Sequence, residues 1–222
     1  MSVISQGAMR EFVVVRADQV RLLPETLSMR DAVLAEPLGV GLHAVAMAGD
    51  LTGRTVLVSG AGPIGLLAAG AARAKGAAEV WVSDILPEAL ERARQLGVTG
   101  TVDVSAQTLP SETYDVVIEA AGVPSAISGA LNAAVRGGTV VQVGLVAGGT
   151  QPIDLSPVAA RELIFRGAFR FIDEIADAVT MLDHEKSLAQ VITHEFSLDD
   201  VVAAFDCAAD AAKSAKVIVR LV

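Results

Sequence analysis

The run GAGPIG, residues 60–65, follows the β-branched segment TVLVS (55–59) and leads into LLAAGAARA, a stretch of small and aliphatic residues. A buried strand, a turn with glycine at its first, third and sixth positions, and then a helix is a narrow prescription. Gly60 permits the tight turn, Gly62 lets a bound group approach the backbone, and Gly65 allows the helix to pack close to the strand. Pro63 at the first helical position loses no hydrogen bond, because the first N–H groups of a helix have no intrahelical acceptor. Those N–H groups lie at the positive end of the helix dipole, so the turn, with Ile64 at its heart, predicts a seat for a phosphate-like anion.

The rest of the chain repeats the strand-then-helix rhythm. Strand patterns occupy 55–59, 79–83, 101–104, 114–120, 139–144 and 163–169, with helical patterns between them. This predicts an α/β fold, a doubly wound parallel six-stranded sheet of Rossmann type with helices on both faces. Pro87 opens a further helix in which Leu86, Leu90 and Ala93 recur at spacings of four and three, and Gly76, Gly97 and the pair Gly137-Gly138 stop helices before strands. The ends depart from this rhythm. Residues 11–24 read as two short strands around a turn and 215–222 as another strand. Between 172 and 212 lie two amphipathic helices, one with Ile175, Val179 and Leu182 and one with Leu198, Val201, Val202 and Phe205. Ser197 and Asp200 form a capping box with a shorter acid.

Composition narrows the partners. The 222 residues are 52% hydrophobic and 19% charged, enough to bury a full core in one or two domains. The net charge of −9 and the lack of clustered Lys and Arg argue against nucleic acid, since phosphate backbones need such clusters. No uninterrupted apolar run reaches the roughly 18 residues of a membrane span. The opening MSVISQGAMREFVVV lacks a basic segment, an apolar run and a small-residue cleavage site, so a cytoplasmic location is expected. Cys207 is the only cysteine, which excludes an internal disulfide and a cysteine-rich zinc site within the chain.

Asp84 ends the second strand pattern 19 residues after Gly65, with Ile85 and Leu86 following it. A carboxylate there accepts hydrogen bonds from ribose hydroxyls and repels a 2′-phosphate, and no arginine follows to reverse the preference. NAD(H) is therefore favoured over NADP(H). S-adenosylmethionine enzymes place an acid similarly, but the proline and full glycine spacing argue against them. The structural alternative is a capping turn with a surface acid.

The stretch AEPLGVGLHAVAMAGDLTGRTVLVSGAGPIGLLAAGAARAKGAAEVWVSD (35–84) resembles the medium-chain dehydrogenase/reductase superfamily. With IEAAGVPSAI (118–127), RGGTVVQVGL (136–145) and ELIFRGAFRF (162–171), it is most similar to the zinc-dependent polyol branch, the sorbitol, L-idonate and threonine dehydrogenases. The resemblance implies that Gly60, Gly62, Pro63, Ile64 and Gly65 hold a pyrophosphate and that Asp84 and Ile85 meet the adenosine ribose. It implies that Ala120, Ala121, Gly122, Val143, Gly144 and Leu145 line the dinucleotide toward the nicotinamide. The implied reaction is hydride exchange between NAD and a secondary alcohol of a polyol or sugar-derived acid. The implied organisation is a remnant of a GroES-like catalytic domain (1–37), a Rossmann domain (38–171), and C-terminal helices and a strand returning to the catalytic domain (172–222). A homo-oligomer, dimer or tetramer, paired through the sixth strand, is implied as well.

The same resemblance exposes a gap. Full-length relatives hold zinc in the GroES-like domain, whose cysteine and GHE motif have no counterpart here, so this chain is not expected to hold it. Glu36 is the one candidate catalytic residue, at the family position that approaches the metal; it reads equally as an exposed acid in an extended step before Pro37. His43 reads as a packed or hydrogen-bonded histidine, His184-Glu185 as a solvated turn, His194-Glu195 as a strand end, and Cys207 as a small buried hydrophobe. Two functions stay open: the NAD(H)-binding part of a polyol dehydrogenase, inactive by itself, or a catalytically silent NAD(H)-binding module acting through assembly.

Overall fold

The computed structural model describes residues 7–221. Six parallel strands form the main sheet: β1 (Thr55–Ser59), β2 (Glu79–Asp84), β3 (Gly100–Asp103), β4 (Tyr114–Glu119), β5 (Ala134–Gln142) and β6 (Ile164–Gly167). Their spatial order is β3-β2-β1-β4-β5-β6, so the chain reverses its direction of travel between β1 and β4. Val56, Leu57 and Val58 of β1 are each fully buried. Alternate residues serve opposite faces, as the pleat requires. Val56 and Val58 join the larger core with α2 (Ala35–Ala48), α3 (Pro63–Ala74) and α7 (Ile175–His184). Leu57 turns to the other face with Val117, Val140 and α5 (Pro124–Ala133). Burying each such side chain contributes about 1.5–3 kcal/mol, which explains why continuous apolar runs became central strands here.

The remaining helices are α1 (Met29–Ala32), α4 (Pro87–Gln95), α6 (Ser156–Ala160) and α8 (Val201–Ala209). Pro63 and Pro87 stand at the first positions of α3 and α4 as the sequence predicts. Gly76 and Gly97 take left-handed φ after their helices, at 89° and 74°.

Several expectations are corrected. Residues 11–24 form no strands; a short 3-10 turn, Ala17–Gln19, lies in an otherwise irregular and exposed segment in which Phe12 keeps 85% of its surface. β-Branched residues there have no neighbouring strand among the described residues, and a lone hairpin is marginal without one. Gly137 and Gly138 lie inside β5 rather than between helix and strand. Gly137 takes φ 70° where the register with β4 jumps from Tyr114/Ala134 to Val116/Thr139. Residues 216–220 do form a strand, β8 (Lys216–Arg220), but it pairs in parallel with β7 (Ile192–Ser197), a strand the sequence reading saw only as an end at His194-Glu195. His184 is the last residue of α7 rather than part of a turn. In α8, Val202 and Phe205 are exposed and Cys207 is half-buried, so the apolar side of this helix is largely uncovered. The hydroxyl of Ser197 donates to the Asp200 carboxylate (2.7 Å) instead of closing a capping box with the backbone.

Candidate nucleotide-binding site

Three loops meet beyond the carboxyl ends of β1, β4 and β5. The first is Gly60–Gly62, ahead of α3. Gly60 has φ 102°, and a Cβ on it would stand 2.9 Å from the Ala121 amide nitrogen, so the glycine loop lies directly on the loop after β4. A Cβ on Gly65 would overlap the carbonyl oxygen of Gly60, with the Val58 side chain 3.5 Å away. The close approach predicted at Gly65 is thus first against its own loop. Gly62 is different: a Cβ there would meet no protein atom within 4 Å, and its φ is −70°. Its lack of a side chain relieves no crowding and leaves open the space in front of the backbone.

The first bond of α3 is Leu66 N–H to the Gly62 carbonyl (2.9 Å). Pro63 carries no N–H, so Ile64 and Gly65 present theirs without intrahelical acceptors, and no acid in the first turn competes for them. These are the donors that a phosphate group uses at a helix N-terminus.

Asp84, at the end of β2, is tied to the same loop. One carboxylate oxygen accepts from Ala61 N–H (2.7 Å) and the other from Leu86 N–H (2.9 Å). Each oxygen retains a second lone-pair direction, so the side chain braces the loop and still has acceptor capacity. Ile85 beside it is exposed. Arg92 of α4 lies within electrostatic reach of Asp84, but its terminal nitrogens donate to the Ala211 and Ala212 carbonyls (2.6 and 3.1 Å).

The second and third loops are held by a residue that the sequence reading missed. Glu119, the last residue of β4, is fully buried. Its Oε1 accepts from Ala121 and Gly122 N–H, both at 2.9 Å; its Oε2 accepts from the Gln142 amide (2.5 Å). Its main-chain carbonyl accepts from Val143 (2.8 Å) and Gly144 (3.0 Å). Burial pushes the Glu119 carboxyl above the ordinary range, against the opposing pull of the Gly122, Gln142 and Ala121 donors. An acid closing the apolar run VVI just before AAG, and a lone Gln inside TVVQVG, were the available signals. Neither tells which way its side chain turns.

Gly62, Ile85, Ala121 and Leu145 are exposed around this junction, and Asp84, Pro63, Ile64, Ala120, Gly122, Val143 and Gly144 are half-buried. Glu36 stands apart in kind. It is exposed on the first turn of α2, so the extended step before Pro37 is overturned; Pro37 falls at the third helical position, where the missing N–H costs no intrahelical bond. His43 of α2 is hydrogen-bonded, with Nδ1 2.7 Å from Glu174 Oε1. Burial raises the Glu174 carboxyl, but bonds from His43 and the Ile172 amide outweigh it and hold it below the ordinary value. Among the described residues, no three His, Cys, Asp or Glu side chains are grouped as a metal site would need.

Residues 63–184 match the family model described as zinc-binding dehydrogenase. The chain is 35% identical over 210 residues to an L-threonine 3-dehydrogenase of Alteromonas mediterranea, covering 90% of this chain and 61% of that protein. It is 33% identical over 223 aligned positions to one of Shewanella baltica, covering 96% and 64%. The chain therefore spans less than two thirds of these relatives. Among solved structures, L-idonate 5-dehydrogenase from Escherichia coli superimposes with a TM-score of 0.87 at 30% identity, over 94% of this chain and 62% of that one. A zinc-binding dehydrogenase structure from Sinorhizobium meliloti, bound to NADP, gives 0.79 at 32% identity, over 89% and 61%.

Proposed function

Because this chain belongs to the zinc-binding dehydrogenase family, we propose that residues 38–171 form its NAD(H)-binding domain. The rest follows the organisation implied above, with 1–37 and 172–222 belonging to a catalytic unit. The observation that carries the proposal is the open cradle at Gly62, with free N–H groups at Ile64 and Gly65 and the Asp84 carboxylate bonded to the same loop. Gly60 to Gly65 hold the pyrophosphate, Asp84 with Ile85 the adenosine ribose, and Ala120–Gly122 with Val143–Leu145 the nicotinamide side. Bound there, the cofactor supplies the hydride acceptor for a secondary alcohol of the polyol or sugar-acid class.

Alcohol oxidation by this chain alone is not proposed. Activating the alcohol at a zinc requires three convergent protein ligands and an open position, and Glu36 is a single exposed carboxylate. The binding-module reading therefore describes the isolated chain, and the dehydrogenase reading describes a protein in which such ligands are supplied. A homo-oligomer is proposed from the edge strand β6, which among the described residues pairs with β5 alone and exposes Ile164 and Phe165, followed by Phe169.

The test is calorimetric titration of the chain with NAD⁺ and NADP⁺. One saturable site tighter for NAD⁺, and weakened at least about tenfold by Asp84→Ala as lost charged hydrogen bonds require, is the expected result. Tighter binding of NADP⁺, or no binding at millimolar NAD⁺, overturns the proposal.

A further inference from the structure

We propose that Glu119 is the positioning residue of the nicotinamide half of the site, a buried clamp that fixes the loops after β4 and β5 to each other. The proposal rests on the NAD(H) reading of the three loops and adds to it a residue that no motif assigns.

Glu119 bonds five donors: three through its carboxylate, from Ala121, Gly122 and Gln142, and two through its carbonyl, from Val143 and Gly144. Every donor lies in one of the two loops or, as Gln142, at the strand end leading into the second. Gln142 extends the clamp by donating also to the Gly144 carbonyl (2.6 Å). The two loops touch backbone to backbone. A Cβ on Gly122 would stand 2.7 Å from the Leu145 carbonyl oxygen, and one on Gly144 would overlap the Gly122 amide and come within 2.8 Å of Glu119 Oε2. The carboxylate lies at this backbone contact and bonds one loop directly and the other through Gln142.

Stability alone gives no reason for the arrangement. A buried carboxylate whose bonded partners include no cation is costly, and the Gln142 Oε1 beside it is buried with no partner. Local rules broken in the core are expected where function requires them. Topology says which half of the ligand is served. The glycine loop and Asp84 belong to β1 and β2, whereas Glu119 and Gln142 belong to β4 and β5, across the point where the strand order reverses. A dinucleotide lying across that point has its adenosine on the first side and its nicotinamide on the second.

Glu119→Gln is the discriminating change. The new amide oxygen can still accept from Ala121 and Gly122, and the main-chain bonds to Val143 and Gly144 remain, but the NH₂ group now faces the NH₂ of Gln142. Either the two donors oppose each other, or the Gln142 amide rotates to present its Oε1 and its Nε2 leaves the Gly144 carbonyl, so one side-chain link to the loop after β5 is lost in both cases. NAD⁺ and ADP-ribose, which lacks the nicotinamide, are titrated into the full chain and each variant by calorimetry; NADH emission is recorded in parallel. In the variant, NAD⁺ affinity is expected to fall about tenfold, the scale of one hydrogen bond to a charged group. ADP-ribose affinity should stay within about twofold, and bound NADH emission should shift toward that of free NADH. A merely structural role would weaken both ligands alike, and that outcome overturns the proposal, as does an unchanged NAD⁺ affinity. Gln142→Met, which leaves Glu119 bonded to Ala121 and Gly122, decides the matter if Glu119→Gln does not fold: loss confined to NAD⁺ supports the clamp, and equal loss or none refutes it. A wild-type chain that binds ADP-ribose but gains nothing from the nicotinamide refutes the clamp while leaving the adenosine-side reading intact. Binding of neither ligand refutes both.

Discussion

Gly62→Ala separates the fold from the site at a single methyl group. The residue has φ −70° and ψ 178°, a conformation alanine adopts freely, and a Cβ there meets nothing within 4 Å. Two small stability terms oppose each other. Alanine is a poorer N-cap than glycine, at a cost of roughly 0.5–1 kcal/mol, while lower entropy of the unfolded chain returns about 0.4–1 kcal/mol. The net change stays within about 1 kcal/mol, a shift in Tm of no more than about 2–4 °C for a chain of this size. Binding responds very differently. The methyl occupies the space through which a phosphate reaches the N–H groups of the loop and α3, and losing one or two charge-assisted bonds at about 1.5–3 kcal/mol each weakens NAD⁺ at least about tenfold. Scanning calorimetry and titration of the same preparation test both halves. Wild-type NAD⁺ affinity in a folded Gly62→Ala chain would refute the assignment of this cradle to the pyrophosphate.

Other outcomes follow from the same geometry. Gly65→Ala pushes a methyl into the Gly60 carbonyl, so it should cost about 1–3 kcal/mol as overpacking does, read as a Tm lower than that of Gly62→Ala. Glu174→Ala removes the acceptor of His43 and of the Ile172 and Asp173 amides and should destabilise the chain at neutral pH by about 2 kcal/mol. Because the folded Glu174 carboxyl lies below its ordinary value of 4.5, its contribution is present above that value and fades as pH falls through the lower folded one. Denaturation across the acidic range should show this loss in the wild type and not in the variant. Phe165→Asp, on the open edge of β6, should convert an assembled chain to monomer in analytical ultracentrifugation; a wild type already monomeric at tens of micromolar, the range of modest association, contradicts pairing through this edge.

The sheet was legible because burial on both faces leaves an unmistakable trace. TVLVS became β1 with its predicted bounds, and Pro63, Pro87, Gly76 and Gly97 punctuated helices as their backbone chemistry demands. What failed was pairing. The apolar residues of 11–24 and of ITHEFS look alike in strand propensity, yet only the second found a partner, in β8, because strands are stabilised by neighbours and not by their own residues. The glycine loop and Asp84 were legible by spacing. Glu119 was not: a Glu at the end of an apolar strand reads as the point where the chain meets water, and only the three-dimensional register of β4 with β5 turns it inward to Gln142.

Site-resolved amide shifts on adding NAD⁺ to the labelled chain test the central claim most directly. The three-loop site predicts saturable changes concentrated at residues 60–65, 84–86, 120–122 and 143–145. Changes centred elsewhere, such as the polar hollow lined by Arg73, Gly97 and Thr99, or no change at millimolar NAD⁺, would contradict it.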